Sequence, residues 1–176
     1  VIPVDIGIDT DEVIPGVLPR KVAKGTKNFA KEPGMTEEEV LKAIETGIQL
    51  VQQCHREGYE ILATGEMGIG NTTTSTAVAA ALLDLEVEQV TGKGAGLTDE
   101  ALKRKCRVIE EAIEKYFLRD ADAFTILKTV GGLDIAGLTG VFIGAAIEQI
   151  PVVIDGVISA VAALLAETFC KGAVNY

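Results

Sequence analysis

The chain has 176 residues and a formal net charge of −10, and 48% of its residues are hydrophobic while only 5% are aromatic. This length allows one domain with a substantial core, and an interior of Ala, Val, Ile, Leu and Gly is typical of helices packed on a parallel sheet. The negative charge argues against a nucleic-acid-binding protein, because a phosphate backbone needs a basic surface, although a locally positive pocket for a small anion remains compatible with it.

The N-terminal part of the sequence predicts one strand, one long loop and one helix. The β-branched run VIPVDIGI, residues 1–8, favours a buried strand, and a sequence that opens inside a strand suggests part of a longer protein. Residues 9–35 are polar and contain prolines, and loops of this length in compact domains are usually functional or disordered. Thr36 and Glu39 have the spacing of a capping box, which predicts a helix from this point.

The remaining sequence alternates between strand and helix patterns in one predicted α/β domain, residues 1–176. Strands are predicted at 59–65 (YEILATG) and 151–156 (PVVIDG), and 85–90 (LEVEQV) is strand-like. This alternation implies parallel strands with crossover helices. The uncharged stretch 135–147 is too short to span a membrane and therefore predicts a buried helix. The predicted helices cover 72–85, 97–117 (capped by Thr98), 122–132, 133–149 and 156–172.

The cysteines and the single histidine indicate a cytoplasmic protein without a zinc site. Cys54, Cys106 and Cys170 are odd in number and far apart, and no secretory segment precedes them. This pattern indicates reduced thiols. With His55 as the only histidine, no zinc site has the usual ligand set, and we expect neither a metal nor a cofactor.

The run GEMGIGNTTTSTA, residues 65–77, has the composition of a ligand-binding turn between a strand and a helix. Ligands of parallel α/β sheets lie beyond the carboxyl ends of the strands, and free N–H groups at a helix start suit a phosphate. Asn71, Thr72 and Thr73 add side-chain donors. The run is neither a Walker loop, since Asn71 stands where a lysine is needed, nor a complete dinucleotide loop. The alternative is a tight turn whose glycines serve only packing.

Glu66 in this turn predicts a sugar contact rather than a phosphate contact, because a carboxylate repels an anion. Its position near a helix start favours the ionised form, which suits the acceptance of hydrogen bonds from hydroxyl groups.

Two lysines could supply the charge for an anion. Lys93 lies in a second glycine loop, residues 91–100, and Lys105 lies one to two turns into the following helix. The alternative for both is a solvated surface lysine, and this alternative is slightly favoured for Lys93.

Two aspartates lie at predicted helix starts. Asp155 and Ser159 flank the turn after the last strand, where a parallel sheet exposes polar groups, so Asp155 is favoured as a ligand contact. Asp134 follows a glycine pair, and a helix N-cap is a sufficient alternative explanation for it.

Four stretches together resemble the nicotinate-nucleotide–dimethylbenzimidazole phosphoribosyltransferase family: GEMGIGNTT, KVAKGTKNF, GLDIAG and PVVIDGVIS, in the family's order along nearly the whole chain. The resemblance implies transfer of the phosphoribosyl group of nicotinate mononucleotide to 5,6-dimethylbenzimidazole. The products are α-ribazole 5′-phosphate, with inversion at the anomeric carbon, and nicotinate. It also implies a Rossmann-like parallel sheet flanked by helices, a homodimer, and no metal or pyrophosphate donor.

By motif, the resemblance implies that Glu66 and Gly68 contact the ribose and phosphate, that Lys105 binds the phosphate, and that Asp155 borders the pocket. Together with the residues around them, the candidate substrate-binding residues are Gly65, Glu66, Gly68, Asn71, Thr72, Lys105, Asp134 and Asp155.

Two family features have no counterpart in this sequence. Family members are longer, and beyond this region they carry a phosphate-holding serine and a general-base glutamate in a Gly-Glu-Gly context. No Gly-Glu-Gly occurs here. The resemblance therefore implies the central part of the enzyme, without its general base and with no catalytic residue assigned. The alternatives are a non-catalytic nucleotide-binding module and a purely structural α/β domain.

Overall fold

The structure is a computed structural model that describes residues 1–94 and 96–176, so that Ala95 of the second glycine loop lies outside the described residues. It is mainly helical, with short parallel strands. The helices are α1 (Glu37–Arg56), α2 (Asn71–Leu83), α3 (Val87–Val90), α4 (Asp99–Lys115), α5 (Ala123–Val130), α6 (Leu133–Glu148) and α7 (Val157–Phe169). The strands are β1 (Val4–Asp5), β2 (Leu18–Pro19), β3 (Leu62–Ala63) and β4 (Val152–Val153).

The predicted α/β class with parallel strands is confirmed, although the strands form two separate pairs of two residues each. β1 pairs with β2, and β3 pairs with β4 with Leu62 opposite Val152. Between β3 and β4 the chain passes through five of the helices, as a parallel crossover requires. The ends of β3 and β4 therefore meet at one edge, where the glycine-rich run begins.

The prediction of a buried strand at residues 1–8 is wrong in its extent and its burial. Val1 and Ile2 are exposed, whereas Asp5 is the buried residue of β1. Asp5 is tolerated because its carboxylate accepts a hydrogen bond from the Ile8 amide at 2.9 Å and pairs with the Lys21 ammonium at 3.1 Å. A buried carboxylate needs such partners, and an apolar pattern alone does not reveal them.

The strand-like run 85–90 contains no strand. Its last four residues form the helix α3 instead. The apolar residue that suggested a strand, Val87, is completely buried in the main core, and the helix packs between α2 and α4. Packing has here overridden a β-branched preference, which is a weak signal in a short segment.

The predicted helix starts are confirmed. Thr36 and Glu39 form the complete capping box of α1, with the Glu39 amide donating to the Thr36 hydroxyl at 3.2 Å. Thr98 caps α4 by accepting from the Ala101 amide at 3.2 Å. Each cap satisfies amide groups that the helix itself cannot pair.

The main packing contact joins α1 and α6 through glycines. A β-carbon on Gly140 would lie 2.0 Å from the Ile44 carbonyl oxygen, and one on Gly47 would lie 2.0 Å from the Gly137 carbonyl oxygen. The two backbones therefore touch directly. The burial of α6, for example at Phe142, confirms the buried helix predicted for 135–147. Over the described ranges, none of the helices combines the length and the apolar character needed to cross a membrane.

We expect Gly140→Ala to lower the free energy of unfolding by about 3 kcal/mol, near the upper end for overpacking, because the new methyl group meets backbone atoms that cannot rotate away. Chemical unfolding of the variant and the parent measures this difference. Gly156→Ala is the control, because its β-carbon would have no neighbour within 4 Å. Equal stability losses in the two variants would contradict the backbone contact.

Candidate active site

The turns that follow β3 and β4 are joined by Thr64 and Asp155. The Thr64 amide donates to the Val153 carbonyl at 3.0 Å, and its hydroxyl contacts the Asp155 carboxylate at 3.1 Å. The Ser159 hydroxyl at the start of α7 also donates to Asp155. These hydrogen bonds, from Ser159 and then from Thr64, lower the pKa of Asp155. Asp155 is thus an ionised, exposed group that lies between the two turns.

The glycine-rich loop reaches α2 through Gly70, which adopts a left-handed conformation (φ +83°) at the helix N-cap. The first-turn amides are already engaged: the Thr73 and Thr74 amides donate to the Gly70 carbonyl, and the Thr72 amide donates to the Asn71 side-chain oxygen at 2.7 Å. The expectation of free N–H groups at this helix start is therefore wrong for these residues. At Thr72, Thr73 and Thr74, side chains rather than amides can donate to a ligand.

Asn71 holds Glu66 against the start of α2. Its side-chain nitrogen donates to both carboxylate oxygens of Glu66, at 2.9 and 3.1 Å. In this structure Asn71 therefore acts within the protein, as the group that orients Glu66.

Asp134 approaches the same loop from the start of α6. A β-carbon on Gly68 would lie 3.2 Å from an Asp134 carboxylate oxygen and 3.7 Å from a Glu66 carboxylate oxygen, so that both carboxylates lie over Gly68. The N-cap of α6 is Gly132, and one Asp134 oxygen accepts from the amide of the next residue, Ile135. The N-cap interpretation of Asp134 is thus wrong, and its second oxygen faces the loop.

Burial, together with the nearby carboxylates of Asp134 and Asp155, raises the pKa of Glu66 to about 7. Burial is the main cause; hydrogen bonds from Asn71 oppose it, while the hydrogen bond and charge of Asp134 and the charge of Asp155 reinforce it. The expectation that Glu66 is firmly ionised is therefore wrong, because burial and two neighbouring carboxylates outweigh the helix start. Near neutral pH this side chain exchanges a proton and can accept or donate.

Lys105 brings a buried positive charge to the first turn of α2. Only 7% of this residue is exposed, and its ammonium donates to the Thr72 hydroxyl at 2.9 Å and to the Gly92 carbonyl at 3.3 Å. Burial lowers the pKa of Lys105. Lys93 instead is exposed and pairs with Asp99 at 2.7 Å. The surface alternative is therefore correct for Lys93 and wrong for Lys105.

The site has a carboxylate side and a cationic side, which meet at the first turn of α2. Contacts run from Lys105 through Thr72 and Asn71 to Glu66, and both Glu66 and Asp134 lie against Gly68. Gly65 is exposed in the same loop, next to Thr64. Within residues 1–94 and 96–176, no group of three His, Cys, Asp or Glu side chains is arranged to hold a metal ion.

Sequence reasoning did not identify Thr64, Gly92 or Gly132 as parts of this site. Thr64 carried a usable signal, since it is a hydroxyl residue at the carboxyl end of a parallel strand. Gly132 leaves room for the Asp134 carboxylate, because a β-carbon there would lie 2.2 Å from one of its oxygens. Gly92 contributes only its backbone carbonyl, and a backbone contact leaves no mark in the residue type.

Comparison with known proteins finds a family match along the whole chain. A family model described as phosphoribosyltransferase matches residues 1–176. The nicotinate-nucleotide–dimethylbenzimidazole phosphoribosyltransferase of Clostridium perfringens strain 13 is 53% identical over 92% of the chain and 45% of the relative. That of Acetivibrio thermocellus is 52% identical over 94% of the chain and 47% of the relative. The chain thus spans a little under half the length of these relatives.

A solved structure shows the same fold. The crystal structure of CobT from Thermus thermophilus superposes with a TM-score of 0.91 at 35% sequence identity. The match covers 98% of this chain and 52% of that chain.

We expect Glu66→Gln to change stability in a pH-dependent way. The folded state holds a proton on Glu66 up to about pH 7, above the ordinary glutamate value of 4.5, so the unfolding free energy falls as pH rises through this interval. The glutamine variant lacks this loss and should gain stability relative to the parent between about pH 5 and about pH 8. Urea unfolding at both pH values measures it, with exposed Glu60→Gln as the control. A stability difference that is constant with pH would contradict the raised pKa.

Proposed function

This chain belongs to the nicotinate-nucleotide–dimethylbenzimidazole phosphoribosyltransferase family, and we propose that it forms the nucleotide-binding part of an enzyme with that activity. The enzyme transfers the phosphoribosyl group of nicotinate mononucleotide to 5,6-dimethylbenzimidazole and releases nicotinate. The relatives' names supply the reaction, and because the chain spans less than half of their length, the activity is a proposal for the whole protein.

The buried ammonium of Lys105 is the observation that supports this proposal best. A buried charge needs compensation, but the oxygens that Lys105 contacts, a hydroxyl and a carbonyl, carry no negative charge. The start of α2 adds the positive end of the helix dipole at the same place. A phosphate between Lys105 and α2 would neutralise both. An anionic ligand therefore fits this side of the site.

The carboxylate side fits the sugar of the same nucleotide. Glu66 and Asp134 lie against Gly68 before the start of α2, whereas Lys105 contacts Thr72 in its first turn. Carboxylates accept hydrogen bonds from hydroxyl groups. A ribose with its phosphate on Lys105 would present its hydroxyls to these groups. This arrangement would leave the anomeric carbon near the loop that contains Glu66.

The reaction needs a base for one proton. The ring nitrogen of the benzimidazole attacks the anomeric carbon, the bond to the nicotinate nitrogen breaks, and the azole loses its N–H proton. A positioned carboxylate typically contributes about 10²–10⁴-fold to such a step. We place this base outside the present residues, in the Gly-Glu-Gly segment that the family resemblance implies and that this sequence does not contain.

The proposal extends to a homodimer in the cytoplasm. Three free cysteines support a reducing compartment. Large apolar side chains are exposed beside the site, among them Met67, Ile69 and Val157, and such side chains are common where other protein segments pack.

Lys105→Ala in the full-length protein should weaken nicotinate mononucleotide binding roughly 10–100-fold, because a hydrogen bond to a charged group contributes about 1.5–3 kcal/mol. Calorimetric titration measures the affinity, and chromatography of released nicotinate measures the transfer. Lys103→Ala, an exposed lysine on the same helix, is the control.

Equal affinities in the Lys105 and Lys103 variants would contradict the phosphate site. Binding of the mononucleotide by the full-length parent without any transfer to a benzimidazole would favour the non-catalytic nucleotide-binding module.

A further inference from the structure

We propose that the Thr72 hydroxyl donates a hydrogen bond to the phosphate of the bound nucleotide and that Lys105 sets the direction of this bond. The inference rests on the proposed function, because it assigns a role within the same anion site. Thr72 and Lys105 act together here, because the contact between them decides which way the Thr72 hydroxyl points.

The direction follows from the chemistry of the two groups. A lysine ammonium has three hydrogens and no acceptor, so in the 2.9 Å contact between Lys105 and Thr72 the hydroxyl oxygen must accept. The hydrogen of the Thr72 hydroxyl must then point away from Lys105. Among the described residues this hydroxyl donates to no protein group, so its hydrogen is available to a ligand.

The position of the hydroxyl is fixed by the second glycine loop. A β-carbon on Gly94 would lie 3.0 Å from the Thr72 hydroxyl oxygen and 3.7 Å from its methyl group, so the loop backbone passes directly over this side chain. Gly94 is left-handed (φ +56°), a conformation that glycine adopts without strain. Lys105 and Gly94 therefore hold Thr72 from two sides.

The amides in the first turn of α2 cannot replace this donor. The amides of Thr72, Thr73 and Thr74 are engaged within the helix start, as described above. Lys105 uses two of its three hydrogens on Thr72 and Gly92. One ammonium hydrogen and the Thr72 hydrogen thus remain for a phosphate oxygen at this place.

The test compares two ligands that differ only in the phosphate: nicotinate mononucleotide and nicotinate riboside. Calorimetric titration of the full-length protein gives both affinities, and their ratio measures phosphate recognition. Thr72→Val keeps the shape but removes the hydroxyl, and we expect this ratio to fall by roughly tenfold or more, with riboside affinity unchanged. Thr72→Ser should restore the ratio, because it keeps the hydroxyl.

Thr76→Val is the matched control. Thr76 lies one turn further along α2, and its hydroxyl donates to the Thr72 carbonyl at 2.7 Å rather than into the site. The affinity ratio should therefore stay at the parent value. If Thr72→Val does not fold, Thr72→Ala carries the same expectation.

Three results would overturn the inference. If a folded Thr72→Val or Thr72→Ala variant has an unchanged affinity ratio, the Thr72 hydroxyl does not contact the phosphate. The proposed phosphate site at Lys105 would still stand. If the affinities for both ligands fall by the same factor, Thr72 has only a structural role. A parent protein that binds the two ligands equally would overturn the proposed phosphate site itself, and the inference with it.

Discussion

The contact between the backbones of α1 and α6 determines where the site can form. Gly47 and Gly140 allow the two helices to touch, and no other residue fits without moving one of them. The same helix α6, whose N-cap is Gly132, brings Asp134 against the glycine-rich loop. A small displacement of α6 would therefore move Asp134 relative to Glu66. The packing of small residues in the core and the electrostatics of the site are parts of one arrangement.

The site keeps two side chains in states that cost free energy without a ligand. Glu66 is half-buried near other carboxylates, and Lys105 is buried with neutral oxygen partners, so the pKa of the first is raised and that of the second is lowered. Apolar or neutral residues would fill purely structural roles at a lower cost in free energy. A nucleotide offers both side chains what they lack, since its phosphate is anionic and its ribose supplies hydroxyl donors. The strained electrostatics are thus consistent with a binding site rather than a packing feature.

The sequence was most informative where chemistry lies in the side chain itself. The capping box of Thr36 and the buried character of α6 were predicted from residue type and spacing, and both are present. The sequence predictions were wrong where contacts between residues distant in sequence decide the local structure or the pKa. Val87 lies in a helix because it packs into the core there. The pKa of Glu66 is raised by burial and by Asp134, a residue distant in sequence. The contribution of the Gly92 carbonyl left no signal in the sequence at all.

The most direct test of this account is a crystal structure of the full-length protein with nicotinate mononucleotide. The account predicts phosphate oxygens at hydrogen-bond distance, about 2.7–3.2 Å, from the Lys105 ammonium, with the ribose facing Glu66. A mononucleotide whose phosphate lies away from Lys105 and the start of α2 would contradict it. In that case the buried ammonium would need a structural explanation. The opposite charges of Lys105 and Glu66 at the start of α2 would then not define the orientation of the ligand.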